Sequence, residues 1–269
     1  MSDQAAKARL FAELHHGDHP LLLPNPWDVG SAKLLASFGF QALATTSGGH
    51  AATLGRLDGT VSQAEAMDHA ALIVGATELP VSADLENGFA DDPAGVAETA
   101  KLAAAAGLAG FSIEDWSGEE IYDIALATDR VEAAAEAAHG GDVHLVLTAR
   151  AENYLRDRPD LADTIARLQS FQKAGADVLY APFMSSADDI KQLIDSVDLP
   201  VNVLARPDAP SVAELSKLGV KRISVGASFA LAGIAALKRA ASEFLESGTY
   251  GYFEAVTEGA AARDAAFGA

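Results

Sequence analysis

Short apolar segments alternate with longer, alanine-rich amphipathic segments along most of this chain. The apolar segments are continuous, as expected of strands that are buried on both faces of a parallel sheet. Eight segments are predicted strands: Leu21–Leu23, Ala42–Thr45, Val81–Asp84, Gly110–Glu114, Val143–Thr148, Val178–Ala181, Val201–Leu204 and Arg222–Val225. Strand and helix alternating eight times predict a (β/α)8 barrel of the TIM type.

The segments between the strands have the periodicity of amphipathic helices. The predicted helices are Gly30–Phe38, Ser62–Thr77, Asp92–Ala106, Asp129–His139, Leu161–Ala174, Ala187–Val197 and Ser211–Lys217. Candidate N-caps are Asp92, Asp129 and Ser211. Glycines in the position of C-terminal caps follow four of the helices, at Gly39, Gly107, Gly175 and Gly219. Two further predicted helices, Phe229–Leu245 and Phe253–Phe267, follow the last strand and need a partner surface.

A doubly wound α/β sheet has similar local signals. The barrel is favoured because no G-x-G-x-x-G motif opens the first helix, and because polar residues gather just after the strands, where barrel enzymes carry their catalytic loops. A length of 269 residues is at the upper end of what one domain holds, so we expect a single barrel domain over residues 1–269.

The charge balance limits the partners of the chain. It has 19 Lys and Arg against 38 Asp and Glu, a formal net charge of −19 at pH 7. This disfavours nucleic acids and anionic membranes, because both bind clusters of basic residues. No apolar segment approaches the roughly 18 residues of a membrane span and none resembles a signal peptide, so we expect a cytoplasmic protein. There is no cysteine, which excludes disulfides, thiolate metal sites and cysteine catalysis.

Carboxylates follow two neighbouring predicted strands. Asp84 ends one strand and Glu86 follows two residues later, while Glu114 ends the next strand. Acids on one barrel rim repel each other unless a cation lies among them, and hard oxygen ligands suit Mg²⁺ or Mn²⁺. Solvated loop acids or helix N-caps are the alternative interpretation, since acids are abundant here.

Candidate ligand-binding groups follow other strands. The Arg150 guanidinium matches a substrate carboxylate in bidentate geometry, or else forms an ion pair with an acid such as Glu152. The segment from Thr45 to His50 carries small and hydroxyl residues that allow close approach of an anion. Asp58 is a candidate turn residue, and Trp27 a candidate packing residue at the mouth.

Six segments, taken in order, resemble the signatures of the isocitrate lyase and phosphoenolpyruvate mutase superfamily. They are Pro24-Asn25-Pro26-Trp27-Asp28-Val29-Gly30-Ser31-Ala32, Thr45-Thr46-Ser47-Gly48-Gly49, Asp84-Leu85-Glu86-Asn87-Gly88, Ile113-Glu114-Asp115, Thr148-Ala149-Arg150 and Pro200-Val201-Asn202. The resemblance covers nearly the whole chain. It implies a barrel whose eighth helix is exchanged between subunits of a homodimer or homotetramer, which would cover the extra C-terminal helices.

The resemblance also implies roles for particular residues. Ser47, Gly48 and Gly49 match the loop that holds the carboxylate of a 2-oxo acid, and Trp27 and Asn202 join the predicted substrate-binding set. The residues that match the Mg²⁺ site are Asp84, Glu86 and Glu114. Two residues match catalytic positions: Asp58 matches an aspartate near the reacting centre, and Arg150 matches the substrate-binding arginine.

This chain departs from the superfamily pattern at two places. The usual D-x-D metal pair is here Asp84-x-Glu86, one methylene longer at the second acid. The lyase branch carries a mobile K-[KR]-C-G-H loop whose cysteine is the acid, whereas the segment here, from Asp115 to Asp123, has no Cys, Lys or His. Ser117, Tyr122 and His50 are other possible proton donors, although none is supported by spacing.

Two functions follow as hypotheses. The first is a Mg²⁺-dependent enzyme that cleaves or rearranges a C–C or P–C bond of a small 2-oxo acid or related carboxylate through an enolate-like intermediate. Decarboxylation or hydrolysis of an oxaloacetate-like substrate ranks above aldol-type cleavage, because neither needs the cysteine acid. The second is a catalytically silent 2-oxo acid binding protein on the same scaffold.

Overall fold

The protein is a nearly closed eight-stranded parallel barrel. The computed structural model describes residues 3–268, and its strands are β1 Leu21–Leu23, β2 Leu43–Ala44, β3 Val81–Asp84, β4 Gly110–Glu114, β5 Val146–Arg150, β6 Val178–Tyr180, β7 Val201–Leu204 and β8 Arg222–Ser224. The strands pair in the order β1-β8-β7-β6-β5-β4-β3-β2, each pair parallel. Between β2 and the end of β1, the Ala44 amide donates to the Pro24 carbonyl at 3.1 Å. The predicted (β/α)8 barrel is therefore confirmed.

Helices surround the strands and continue beyond them. Their bounds are α1 Asp3–Leu14, α2 Val29–Ser37, α3 Ser47–Thr53, α4 Gln63–Gly75, α5 Pro93–Ala105, α6 Ile124–His139, α7 Leu161–Lys173, α8 Ala187–Asp195, α9 Val212–Leu218, α10 Ser228–Ser242 and α11 Phe253–Phe267. A π-helical turn, Glu243–Ser247, continues α10. Within residues 3–268 no helix is both long enough and apolar enough to cross a membrane.

Most predicted boundaries agree with the structure to within a few residues, and two predictions are wrong. The N-cap of α6 is Asp123, whose side chain accepts from the Ala125 amide, so the predicted cap Asp129 lies inside the helix. The fifth strand starts at Val146 instead of Val143 and runs on to Arg150. The predicted caps Asp92 and Ser211 are confirmed, each accepting from a backbone amide of the first helical turn.

Helix α1, which was not predicted, closes the N-terminal end of the barrel. Its Ala8 and Phe11 are buried against residues near the starts of the strands, among them Leu21 and Val146. The larger core lies between the strands and the outer helices, and it includes Ile73, Phe171 and Leu193 among others. Because α1 fills one end, only the carboxyl ends of the strands remain open, and the polar strand ends lie there.

The C-terminal helices lie apart from this core. Ala230 is the buried residue of α10, while Leu231, Ile234 and Leu237 are 58%, 48% and 71% exposed. Leu245 in the π-helical turn is 84% exposed. A helix with this many exposed apolar residues presents a face that the rest of the described chain leaves uncovered.

Candidate active site

Three strands deliver charged side chains to one rim of the barrel. Asp84, Glu114 and Arg150 are the last residues of β3, β4 and β5. Glu114 lies opposite Arg150 in the β4–β5 register, and Asp84 lies opposite Ser112 in the β3–β4 register. Because adjacent parallel strands end at the same edge, residues far apart in sequence meet here, as predicted.

Arg150 forms ion pairs with three carboxylates. Its Nη1 lies 2.8 Å from Asp84 Oδ1, and its Nη2 lies 2.9 Å from both Glu114 Oε2 and Glu152 Oε1. Its Nε also donates to Glu152 Oε1 at 3.0 Å. The pairing with Glu152 that was considered from the sequence is therefore present, together with two more. The Arg150 guanidinium therefore holds these three carboxylates in position.

A second arginine supports the same acids from the β5–α7 segment. Arg156 Nη2 lies 3.4 Å from Glu114 Oε1 and 3.4 Å from Glu152 Oε2, and its guanidinium stacks on Trp116 at 4.3 Å. Sequence reasoning named Arg156 in no role. Its signal, an Arg four residues after an acid, is too common on surfaces to be recognised without the fold.

Glu86 lies beside this network with its charge poorly compensated. Its backbone has φ +48°, a left-handed conformation that is uncommon outside glycine. Burial, followed by the nearby charges of Asp84 and Asp58, raises the pKa of Glu86 to about 7. Burial and the charge of Glu152 raise the pKa of Glu114 well above its usual range, against the opposing effect of Arg150.

The chemistry of these donors, rather than their present spacing, suits a hard divalent cation, because one oxygen from each of the three acids Asp84, Glu86 and Glu114 does not come within 4.8 Å of the others. The donors are all oxygen atoms, as Mg²⁺ prefers, and the Glu86 carboxylate accepts no hydrogen bond from any residue between 3 and 268. Asp84, Glu86 and Glu114 also line one open cavity together. A cation here would offset both the burial and the repulsion that raise the pKa of these two glutamates.

The predicted anion loop is the first turn of a short helix. Thr46 is the N-cap of α3, and its hydroxyl accepts from the Gly49 amide. Ser47 Oγ donates to Asp84 Oδ2 at 3.0 Å, which ties α3 to the acid cluster. A Cβ at Gly48 would lie 3.2 Å from Asp58 Oδ2, so Gly48 and Asp58 are close neighbours.

Two cavities open on either side of the Asp84–Arg150 pair. The first, of about 460 Å³, extends into the barrel and is lined by residues that include Asn202 and Arg222. The second, of about 810 Å³, lies over the acids and is bounded by Glu86, Glu114 and Arg156 among others. Residues that line both are Ser47, Asp58, Asp84, Arg150 and Leu155.

The remaining predicted binding residues differ in position. Asn202 is 1% exposed and reaches the first cavity from β7, where its Nδ2 donates to Ser224 Oγ at 3.0 Å. Trp27 lines neither of the two cavities; its carbonyl lies 3.0 Å from His69 Nε2, behind α3. Gly49 is buried against the Trp27 Cβ, so the tryptophan packs against the loop without lining either cavity.

The three possible proton donors are placed unequally. Tyr122 donates to Asp91 Oδ1 at 2.5 Å, and burial raises its pKa to about 12, which makes it a poor acid at neutral pH. Ser117 lines the second cavity but donates to the Glu120 carbonyl. The His50 ring stacks on His69 with centroids 3.8 Å apart, and burial lowers its pKa.

A match to one family model covers most of the chain. The model described as phosphoenolpyruvate phosphomutase matches residues 11–245. This interval contains all eight strands and every charged residue of the rim described above.

Curated relatives and a solved structure agree with this match. An uncharacterized protein of Mycobacterium tuberculosis is 34% identical over 86% of this chain and 87% of its own. A 2-methylisocitrate lyase of Halalkalibacterium halodurans is 27% identical over 74% and 67%, and an oxaloacetate decarboxylase of Pseudomonas entomophila is 27% identical over 78% and 75%. The crystal structure of a Burkholderia cenocepacia J2315 protein described as a lyase/mutase superposes with a TM-score of 0.92, at 47% identity over 95% of this chain and 93% of that one.

Proposed function

Since this chain belongs to the phosphoenolpyruvate phosphomutase family, we propose that it is a Mg²⁺-dependent enzyme acting on a small 2-oxo acid or related carboxylate. The reaction cleaves or rearranges a C–C or P–C bond next to the carbonyl through an enolate-like intermediate. The observation that carries the proposal is the set of acids Asp84, Glu86 and Glu114 lining a cavity beside Arg150.

The acids and the arginine have separate tasks in this proposal. Asp84, Glu86 and Glu114 would hold Mg²⁺. When bound there, the ion would supply positive charge beside the carbonyl oxygen on which negative charge develops. Arg150 keeps Asp84 and Glu114 in position through its ion pairs with them and contributes its own positive charge to the same oxygen.

The loop residues bind the carboxylate end of the substrate. Ser47, Gly48 and Gly49 lie at the start of α3 next to Asp84, where a carboxylate would meet the Ser47 hydroxyl and backbone amides. Asp58 lies against Gly48 and lines both cavities, so it stands near the reacting carbon.

The segment after β4 supports a ranking of the reaction types. Trp116 and Ile121 form an antiparallel bridge that closes this segment into a tight turn without Cys, Lys or His. Decarboxylation or hydrolysis of an oxaloacetate-like substrate does not require a protein acid at that position, so these reactions rank first. The oxaloacetate decarboxylase among the relatives supports this order.

A steady-state assay over a panel of 2-oxo acids tests the proposal. The panel contains oxaloacetate, pyruvate, 2-oxoglutarate and phosphonopyruvate, each assayed with Mg²⁺ and with EDTA. We expect Mg²⁺-dependent turnover of at least one compound, and a loss of about 100-fold or more in kcat/KM for Asp84→Asn, comparable to loss of a principal electrostatic group. Glu120→Gln, an exposed acid outside both cavities, is the matched control and should retain full activity.

Two results would contradict the proposal. Equal turnover in Mg²⁺ and in EDTA would remove the metal from the mechanism. Binding of the 2-oxo acids by calorimetry without turnover of any of them would indicate a binding protein.

A further inference from the structure

The first cavity has a buried cation at its inner end. Arg222 is the first residue of β8 and is only 4% exposed. Its Nε donates to Asn202 Oδ1 at 3.0 Å, its Nη1 donates to Thr148 Oγ1 at 2.9 Å, and His15 Nε2 lies 3.4 Å from Nη1. Asn202 and Thr148 are neutral, so neither compensates the positive charge of the guanidinium, and His15 is the remaining hydrogen-bond partner to consider.

His15 is neutral as well. It is 1% exposed, and burial followed by the charge of Arg222 lowers its pKa to about 3. Its Nδ1 lies 2.7 Å from the Phe11 carbonyl, so Nδ1 carries the proton and Nε2 is left to accept from Arg222. All three partners of Arg222 are therefore uncharged.

Arg222 differs in this respect from the arginine above it. Arg150 has three carboxylate partners, whereas Arg222 forms no ion pair with any residue between 3 and 268. Its third nitrogen, Nη2, has no hydrogen-bond partner in that range, and the residue lines the cavity of about 460 Å³. A buried charge without a counterion is costly, so an anion entering this cavity would be bound favourably.

Part of the cavity wall is polar at positions where barrels are usually apolar. Inward-facing barrel positions are commonly filled by Val, Ile and Leu. Here small hydroxyl and amide side chains interrupt an otherwise largely apolar lining: Ser82, Ser112, Asn202 and Ser224. These residues leave space and offer hydrogen bonds around the guanidinium, as a site for a polar group requires.

The position of Arg222 along the barrel axis follows from strand geometry. Thr148 and Arg150 are two residues apart on β5, so their side chains share a face and are separated by about 6.6 Å along the strand. Arg222 is hydrogen-bonded to Thr148, and Arg150 is bonded to the acids of the rim. Arg222 is therefore held by a residue that lies one barrel layer from Arg150 on β5, a separation comparable to the length of a short carbon chain.

We propose that Arg222, with Asn202 and Ser224, forms a second anion-binding subsite that takes the distal carboxylate of a 2-oxo dicarboxylic acid. The subsite makes this barrel selective for dianions over monocarboxylates. The inference rests on the proposed function, because that function places the 2-oxo end of the ligand at the rim.

Calorimetry with three ligands in the presence of Mg²⁺ separates the two ends of the site. Oxalate is short and reports on the rim alone, while 2-oxoglutarate and 2-oxopentanoate are a matched pair that differ in the distal carboxylate. We expect the wild-type protein to bind 2-oxoglutarate at least tenfold more tightly than 2-oxopentanoate. Arg222→Met should reduce this preference to less than twofold and leave oxalate binding unchanged, and Arg222→Lys should retain part of the preference.

Arg206 provides the matched control. It lines the same cavity nearer the mouth, but its Nε lies 2.9 Å from Asp208 Oδ1, so its charge is already compensated. Arg206→Met should therefore keep the full preference for 2-oxoglutarate. The melting temperature of each variant shows whether a loss of binding comes from a loss of folding.

The outcomes distinguish a failure of the Arg222 subsite from a failure of the assignment of the rim residues. A wild-type protein without a preference between the matched pair, or an Arg222→Met variant that folds and keeps the preference, overturns the subsite. Arg222-dependent binding of 2-oxoglutarate without any binding of oxalate would support the subsite and contradict the rim assignment. If the wild-type protein binds none of the three ligands, both proposals are wrong.

Discussion

Gly48 and Gly49 are adjacent in sequence but have different surroundings. A Cβ at Gly49 would lie 2.5 Å from Thr46 Cγ2 and 3.0 Å from Trp27 Cβ, both on packed side chains. A Cβ at Gly48 would lie 3.2 Å from Asp58 Oδ2, the end of a side chain that can rotate away. Neither glycine has a positive φ, so space alone decides what alanine does at each position.

We predict different effects for the two alanine variants, one on stability and the other on turnover. Gly49→Ala forces the packed Thr46 and Trp27 to move and should lower the free energy of unfolding by about 1–3 kcal/mol. Gly48→Ala should change stability little, but displace Asp58 and lower kcat. Urea unfolding and the 2-oxo acid assay measure the two effects, and equal destabilisation by both variants would contradict the prediction.

Residues at strand ends could be predicted from the sequence, and their partners could not. Asp84, Glu114 and Arg150 were recognisable because a polar residue that ends an apolar segment lies on the rim of a barrel. Glu152 and Arg156 lie in an irregular segment, where only the fold brings them onto the same acids. Arg222 was recognisable in principle, because a charged residue is unusual within a segment predicted to be a buried strand.

At the scale of elements, the eight-fold alternation predicted the barrel because each buried strand and each amphipathic helix leaves a pattern of its own. Helix α1 was missed since it precedes the alternation and buries mainly Ala8 and Phe11. Helix α3 was missed because it contains two glycines, which have poor helix propensity. The Thr46 N-cap and the hydrogen bond from Ser47 to Asp84 help to hold α3 in place. A local sequence pattern does not show the Ser47–Asp84 hydrogen bond, because Asp84 lies on a different element of the chain, β3.

Helix α10 leads to a prediction about assembly. Its exposed Ile234 and Leu237 suit burial against a second copy of the chain, in line with the expected exchange of the eighth helix in a homodimer or homotetramer. The double variant Ile234→Glu, Leu237→Glu should reduce the mass measured by size exclusion with light scattering to that of the monomer, because carboxylates are costly to bury in an interface.

The neighbouring Lys238 gives the control for this variant. It is exposed on the same helix, and Lys238→Glu changes charge without removing an apolar contact. The control should keep the wild-type mass. A wild-type protein that is monomeric, or a double variant with unchanged mass, would show that α10 does not join subunits.

At the scale of the whole molecule, an excess of acid is concentrated at one point. Four carboxylates, those of Asp84, Glu86, Glu114 and Glu152, face the guanidinium groups of Arg150 and Arg156 at the rim. Two positive charges do not balance four negative ones, and this repulsion adds to the effect of burial, which is the main cause of the raised pKa of Glu86 and of Glu114. The net charge of −19 adds a general preference for cations over anions near the surface.

We predict that Mg²⁺ raises the melting temperature of the whole protein. A ligand that binds the native state alone adds about 2.7 kcal/mol at 100 times its Kd, or roughly 5–10 °C for a chain of this size. The rise should be absent in Glu86→Gln, which removes a ligand, and present in Glu120→Gln. Scanning fluorimetry against NaCl of equal ionic strength measures it, and an equal rise in the Glu86 variant would contradict the metal assignment.

The two cavities share a wall at Asp84 and Arg150, and this has a consequence for inhibitor design. A small molecule that fills one cavity leaves the other open, so two fragments can be found separately, each by its own soak or screen. Joining them across the shared wall makes the second binding event intramolecular, with an effective concentration in the millimolar range for a short flexible linker. Tight inhibitors of this barrel can therefore be assembled from two weak fragments.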